Sequence, residues 1–306
     1  EELFDAIEEF QRRVVKMHLP DGRVDPNGKT LLALSSSPVS APTSYAPTPF
    51  TLFPQMVSSP FGWRSFNLGH MHAGVDFGVA IGTALGSLVT GKARLMAPAG
   101  TGWGWHVELL EGGQPVWRYC HLDKSKTKPL FATAVGDVRD VKLGELIAYS
   151  GNSDTEAHPH LHLERLQGGQ RVAPLTAFPY GGRNPEKPVL ATGSSLQAAS
   201  ANQVHMKLSV KAPDWDLSTA VVRLGHLNNS ASWAGPLIPL EWKLTVDGQV
   251  PNRLIHAGNA VWTIERKLDN LPQSNDPKEN AWTFEVVVTT WKNKSSTAQF
   301  TYKRQK

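Results

Sequence analysis

The chain contains a single cysteine, Cys120, in 306 residues, which excludes an intramolecular disulfide and a cysteine-rich zinc finger. Long apolar runs are also missing. The uncharged stretch 77–91 is broken by glycines and threonines and is shorter than the roughly 20 apolar residues of a membrane-spanning helix, so no membrane span is expected. A formal charge of +4 and a pI of about 9.1 come without a long basic run, which argues against nucleic-acid binding and leaves only weak attraction to polyanions. No internal repeat is present. Charged residues make up only 19% and hydrophobic residues 40%, a balance that excludes wholesale disorder. At roughly 150 residues per domain, the length predicts about two domains.

Residues 1–34 read as a helical segment. Leu3, Ile7, Phe10 and Val14 recur at helical spacing, with acids early and Arg12, Arg13 and Lys16 late, as the helix dipole favours. Residues 35–49, rich in Ser, Pro, Thr and Ala and free of charge, read as a linker. In 50–180, short apolar runs separated by glycines predict a compact antiparallel β domain. A Gly, Pro, Ser and Ala-rich stretch at 181–201 reads as a second linker, and six alternating runs in 202–306 predict a β-sandwich. The expected class is mainly β.

Seven of the eleven histidines fall in the middle segment, and three of them occupy His158-Pro-His-Leu-His162. His160 and His162 are two apart in a strand-like run, so both can address one site. His72 and Asp76 are four apart. A straight strand would hold their Cα atoms about 13 Å apart, too far for one ion, so the chain must bend, and Gly74 midway tolerates the backbone angles of a bend. Two histidines, a carboxylate and a water make a tetrahedral catalytic zinc site. His18, His205, His226 and His256 carry no motif, and His70 and His158 read as exposed loop residues.

Taken in order, Ser59-Pro-Phe-Gly-Trp-Arg64, His72-Ala-Gly-Val-Asp76, Tyr119-Cys-His-Leu122, Val135-Gly-Asp-Val138, Ser150-Gly-Asn152 and Pro159-His-Leu-His-Leu-Glu164 resemble the succession of motifs in the lysostaphin-type (LytM-like) zinc endopeptidases of bacterial cell walls. The resemblance covers about 54–166. It implies an antiparallel β catalytic domain of the lysostaphin type, one Zn2+ per chain held by His72, Asp76 and His162, and His121 and His160 as catalytic histidines beside it. It further implies peptidoglycan as substrate and a periplasmic or extracellular place of action. Two positions depart from the pattern: His158 stands where the family has glycine, and Cys120 where a small residue is usual.

A thiol hydrolase is the rival mechanism for a cysteine among histidines. Neighbouring strand residues point to opposite faces, so with His121 in the cleft Cys120 is expected to face away from it. A rival from another class is a non-catalytic peptidoglycan-binding or hydrolase-regulating protein on the same scaffold. The segment 1–34 resembles the latter part of a helical peptidoglycan-binding module, or is an ordinary helix and turn. Such modules precede antibacterial effectors delivered by type VI secretion, which implies an immunity or secretion-system protein as partner. In the C-terminal domain, Trp242, Trp262 and Trp282 are expected in the core. Trp215 and Trp233, near turns, are candidates to stack on sugars or meet a partner.

Overall fold

The computed structural model describes residues 46–100, 102–131, 134–154, 158–179, 184–190, 195–200, 203–227, 240–269, 271 and 281–303, together with 7, 8, 11, 15, 23, 24, 29 and 30. The chain divides into two compact units, Glu1–Tyr45 and Ala46–Lys306. In the first, the described positions 7, 8, 29 and 30 are α-helical, and the buried Gln11 side chain donates to the Arg23 carbonyl at 2.9 Å and to Thr30 Oγ1 at 3.0 Å. The rest of the expected helical module and the 35–45 part of the first linker lie outside the described residues. Among the described residues no helix is long and apolar enough to cross a membrane.

The second unit is built of sheets whose strand pairs are antiparallel with one exception among the described residues. Its strands are β1 (Val57–Ser59), β2 (Gly62–Arg64), β3 (Asn67–His72), β4 (Val75–Phe77), β5 (Ala84–Gly86), β6 (Gly91–Met96), β7 (His106–Glu111), β8 (Gln114–Cys120), β9 (Val138–Val141), β10 (Leu146–Tyr149), β11 (Leu161–Gln167) and β12 (Gln170–Val172). They continue with β13 (Val189–Leu190), β14 (Ser195–Ser200), β15 (Gln203–Lys211), β16 (Leu217–Leu227), β17 (Glu241–Thr245), β18 (Ile255–Gly258), β19 (Val261–Leu268), β20 (Ala281–Thr290) and β21 (Ser295–Lys303).

The middle segment forms one large sheet in the order β1-β4-β11-β8-β7-β6-β9, with β12 beside β11. Val75, Phe77, Leu109, Tyr119, Leu161 and Leu163 alternate inward from it and close a core with Ile147 and Phe178. Toward the C-terminus, β17-β16-β20-β21 faces β13-β15-β19-β18 across a shared core. Val204, Met206, Leu208 and Val210 of β15 meet Trp262 and Ile264 of β19 and Phe284 and Val286 of β20 there. Trp262 and Trp282 are buried, while Trp242 is half-buried against this core.

Two expectations need correction. The stretch 181–201 is not only a linker, because β13 and β14 both pair with β15. β13 is only two residues long and β14 reads Ser-Leu-Gln-Ala-Ala-Ser, so neither shows a clear apolar alternation, although Leu190 and Leu196 pack against the core. The C-terminal sheet also does not end with its own strands: β18 pairs in parallel with β2, and β3 follows as the edge. Trp63 fastens this seam, its backbone N donating to Val246 O at 3.3 Å and its indole Nε1 to Gly248 O at 2.7 Å. Gly62 has φ +113, and a Cβ there would lie 2.5 Å from Val246 O, so only glycine fits. Trp215 is half-buried against both cores rather than presented to a partner, and Trp233 lies outside the described residues.

Candidate metal centre

His72 ends β3, opposite Gly62 of β2. The chain then bends at Gly74 and returns as β4, where Asp76 pairs in register with His162 of β11. The bend thus joins the first two residues and the sheet register brings in the third. Gly74 serves this less by its backbone angles than by its size. It has no positive φ, but a Cβ on it would lie 2.4 Å from Leu163 O and 2.8 and 2.9 Å from the His162 ring.

Three donor atoms converge here. His72 Nε2 is 3.1 Å from Asp76 Oδ1 and 3.0 Å from His162 Nδ1, and His162 Nδ1 is 2.8 Å from Asp76 Oδ1. Tetrahedral ligands about 2 Å from an ion lie about 3.3 Å from one another, so little movement is needed to admit a cation. The other ring nitrogens are already committed. His72 Nδ1 lies 2.7 Å from Pro60 O, and a carbonyl only accepts, so Nδ1 carries the proton and Nε2 presents a lone pair. His162 Nε2 faces Glu164 Oε1 at 3.5 Å, which leaves Nδ1 for the ion. A carboxylate or carbonyl behind each ligating imidazole is the usual support of a metal site, and the residues fit a metal on that ground.

Burial lowers the pKa of His72. Burial alone would raise that of Asp76, yet the charge of His72 and hydrogen bonds from His162 and His72 hold it well below the usual carboxylate value. For His162, the hydrogen bonds and charges of Asp76 and Glu164 outweigh burial and raise it to about 9. Glu164, likewise buried, is held down to about 2 by His162, Arg171 and Arg118. Two ionised carboxylates flanking one imidazole favour a bound cation.

His121 and His160 stand over this cluster, their ring centroids 4.8 Å apart, with His121 5.8 Å from the His162 ring. Each is oriented through Nδ1: His121 donates to Ser153 O at 2.9 Å and His160 to His158 O at 2.7 Å. Both therefore keep Nε2 for chemistry, and His160 Nε2 lies 3.8 Å from Asp76 Oδ1. Burial, reinforced by the neighbouring histidines, lowers His121 to about 4, so it is a neutral base at neutral pH. All five residues line one cleft of about 640 Å³.

Residues 70–174 match the model of Peptidase family M23. This chain carries an M23 peptidase domain. An uncharacterized metalloprotease of Haemophilus influenzae is 38% identical over 105 residues, covering 34% of this chain and 20% of that protein. Lysostaphin of Staphylococcus simulans is 37% identical over 111 residues, covering 35% and 21%. The DD-carboxypeptidase/endopeptidase Mpg of Neisseria meningitidis is 31% identical over 123 residues, covering 39% and 26%. The chain thus spans between 20% and 26% of the length of these relatives. Among solved structures, the catalytic domain of lysostaphin from Staphylococcus simulans aligns at 29% identity over 43% of this chain and 96% of that one, with a TM-score of 0.32.

Within the M23 domain, the expected direction of Cys120 needs correction. Cys120 pairs in register with His162, and directly opposed residues of an antiparallel pair share a face, so its side chain lies on the site face. Strand alternation fails because His121 leaves β8 with φ +61 and turns its own ring to the same side. The thiol is nevertheless fully buried, and burial with the nearby Glu164 charge raises its pKa well above the ordinary value. It is protonated and inaccessible, which removes the thiolate that a nucleophile requires.

Glu164 and the charged network beneath it were not among the expected site residues of the M23 domain. Glu164 accepts from Trp103 Nε1 at 3.1 Å and from Arg118, which also binds Glu108 through Nε and Nη2 at 3.1 and 2.8 Å. The signal was its place two residues after His162 on one strand face. His70 and His158 are exposed, the latter at the cleft rim, and His205 faces Glu265 at 3.3 Å. His18 and the His226 side chain lie outside what is described.

Proposed function

We propose that the chain is a zinc-dependent endopeptidase that hydrolyses peptide bonds in peptidoglycan stem peptides or cross-links. The observation that carries this reading is the convergence of His72 Nε2, Asp76 Oδ1 and His162 Nδ1 within 3.1 Å of one another beneath two further oriented histidines. All five side chains line one cleft, which favours an enzyme over a non-catalytic scaffold. Relatives named as a DD-carboxypeptidase/endopeptidase and a glycyl-glycine endopeptidase support the same substrate class.

His72, Asp76 and His162 would hold the zinc. When bound, it supplies a Lewis acid for the scissile carbonyl and lowers the pKa of a coordinated water toward about 7. His121 and His160 do the proton and oxyanion work. Each is locked by a backbone carbonyl at Nδ1, so its Nε2 can accept a proton and, once protonated, donate to a carbonyl oxygen or a departing amine. The low pKa of His121 makes it a ready proton donor once charged. Peptidoglycan as substrate sets the activity in the periplasm or outside the cell. Delivery as an antibacterial effector, with an immunity or secretion-system partner, rests on the resemblance of 1–34 alone.

The test is a pair of variants. His162→Ala is expected to lose both zinc and peptidoglycan cleavage, whereas His160→Ala keeps about one zinc per chain and loses cleavage. Metal content by atomic spectroscopy and fragment release from purified sacculi are the two measurements. Full cleavage by either variant contradicts the proposal.

A further inference from the structure

One wall of the cleft, at Trp103 and Glu164, is backed by an arginine–glutamate network. Beneath the wall formed by Trp103, three guanidinium groups meet two carboxylates. Arg94 binds Glu108 Oε2 at 2.7 and 2.8 Å, and Arg118 is spent on Glu108 and Glu164 while its guanidinium lies 3.7 Å over the Trp103 ring. Arg171 of β12 is different. Its Nε lies 3.1 Å from Glu164 Oε1, which Trp103 Nε1 also engages at 3.1 Å, and its side chain is 45% exposed. Among the described residues it has no second ion-pair partner, and it lines the cleft. Of these three arginines Arg171 is the most exposed, its side chain at 45% against 31% for Arg94 and 8% for Arg118, and it alone lines the cleft. Arg64, the other cleft arginine, is turned toward the ligands instead, 3.6 Å from Asp76 Oδ2 and 3.4 Å from Ser59 Oγ.

A half-exposed guanidinium fork beside a flat indole is suited to a carboxylate, which it can meet through two parallel hydrogen bonds. Arg171 reaches the cleft beside Glu164, two residues past His162 on β11 and so about 7 Å along the strand. That is the reach of the residue next to a bond cut over the His72, Asp76 and His162 cluster.

We propose that Arg171 binds a free carboxylate of the substrate, and that the preferred substrates are cross-links in which a diamino-diacid residue bears that carboxylate beside the cleaved amide, not uncharged glycyl bridges. This rests on the endopeptidase reading above and narrows it.

Two synthetic cross-linked stem-peptide dimers, identical except that the diamino-diacid carries a carboxylate in one and a carboxamide in the other, test it alongside a pentaglycine peptide. The zinc-loaded full chain is expected to cleave the acid with at least a tenfold higher kcat/KM than the amide, mainly through KM. Arg171→Gln is expected to bring the two dimers to within about twofold of each other, and Arg171→Lys, which keeps the charge without the fork, to leave an intermediate preference. Equal cleavage of both dimers by the unaltered chain overturns the proposal while leaving the endopeptidase reading intact. So does a loss of both rates in equal proportion in Arg171→Gln, or faster cleavage of pentaglycine than of either dimer. Cleavage of none of the three peptides overturns the endopeptidase reading and this proposal with it.

Discussion

His256 offers a measurable consequence of how the C-terminal sheet backs the M23 domain. It lies on β18, beside Arg64 of β2, with 3% of its surface exposed. Its ring sits 5.5 Å from that of Trp215 and 5.2 Å from that of Trp262, and neither ring nitrogen has a hydrogen-bond partner among the described residues. Burial, with the positive fields of Arg64 and His72, lowers its pKa from 6.5 to about 4. Between those values the unfolded chain binds the proton and the folded chain does not, so stability is full above pH 6.5 and falls as the pH drops toward 4. From pH 7.5 to 4.5 this one group accounts for a loss of about 2.5 kcal/mol, at 1.36 kcal/mol per pKa unit. In His256→Phe a ring still fills the gap between the tryptophans but nothing titrates. Removing the orphan nitrogens gains about 1–3 kcal/mol, and the larger ring costs a similar amount, so stability at pH 7.5 stays within about 2 kcal/mol of the unaltered chain. The drop between pH 7.5 and 4.5 does not depend on that balance. Urea unfolding of both proteins at the two pH values, under one metal concentration, is expected to show a drop smaller by about 2.5 kcal/mol in the variant. An equal drop in both would refute the reasoning.

Two further substitutions probe the centre. Glu164→Gln removes the charge that Arg118, Arg171 and His162 share. It is expected to cost about 3 kcal/mol of stability and to weaken zinc binding about 10- to 100-fold in competition with a chromogenic chelator; unchanged affinity would show that Glu164 does not orient His162. Gly74→Ala places a methyl group 2.4 Å from Leu163 O and against the His162 ring. A loss of about 1–3 kcal/mol together with loss of bound zinc is expected by thermal unfolding and metal analysis, and retention of both would mean that β4 and β11 can part freely.

Much of the molecule was legible from residue patterns because burial enforces them. β15 alternates Val204, Met206, Leu208 and Val210 into one core, and β11 does the same with Leu161 and Leu163. His72, Asp76, His160 and His162 stood out by their spacing and His121 only through the resemblance of its Tyr119-Cys-His-Leu122 stretch to a family motif, and the fold brings all five to one cleft. What was hidden depends on partners remote in sequence. β18 pairs with β2 across about 190 residues of chain, and a strand as short as Ile255–Gly258 shows no periodicity of its own. Glu108, Arg118, Glu164 and Arg171 look like a solvated face when read along single strands, and only the stacking of β7, β8, β11 and β12 turns them into a network under the cleft. The direction of Cys120 was misjudged for a local reason, the positive φ of the following residue, which alternation cannot foresee.

The central claim is that one zinc site in this chain cuts peptide bonds of peptidoglycan. Mass spectrometry of the fragments released from purified sacculi by the zinc-loaded chain tests it most directly. The account predicts newly hydrolysed amide bonds in the stem peptides or cross-links, intact glycan strands, abolition by a chelator and recovery on adding zinc. No new peptide termini from the zinc-loaded chain, or cleavage that survives complete metal removal, would contradict it.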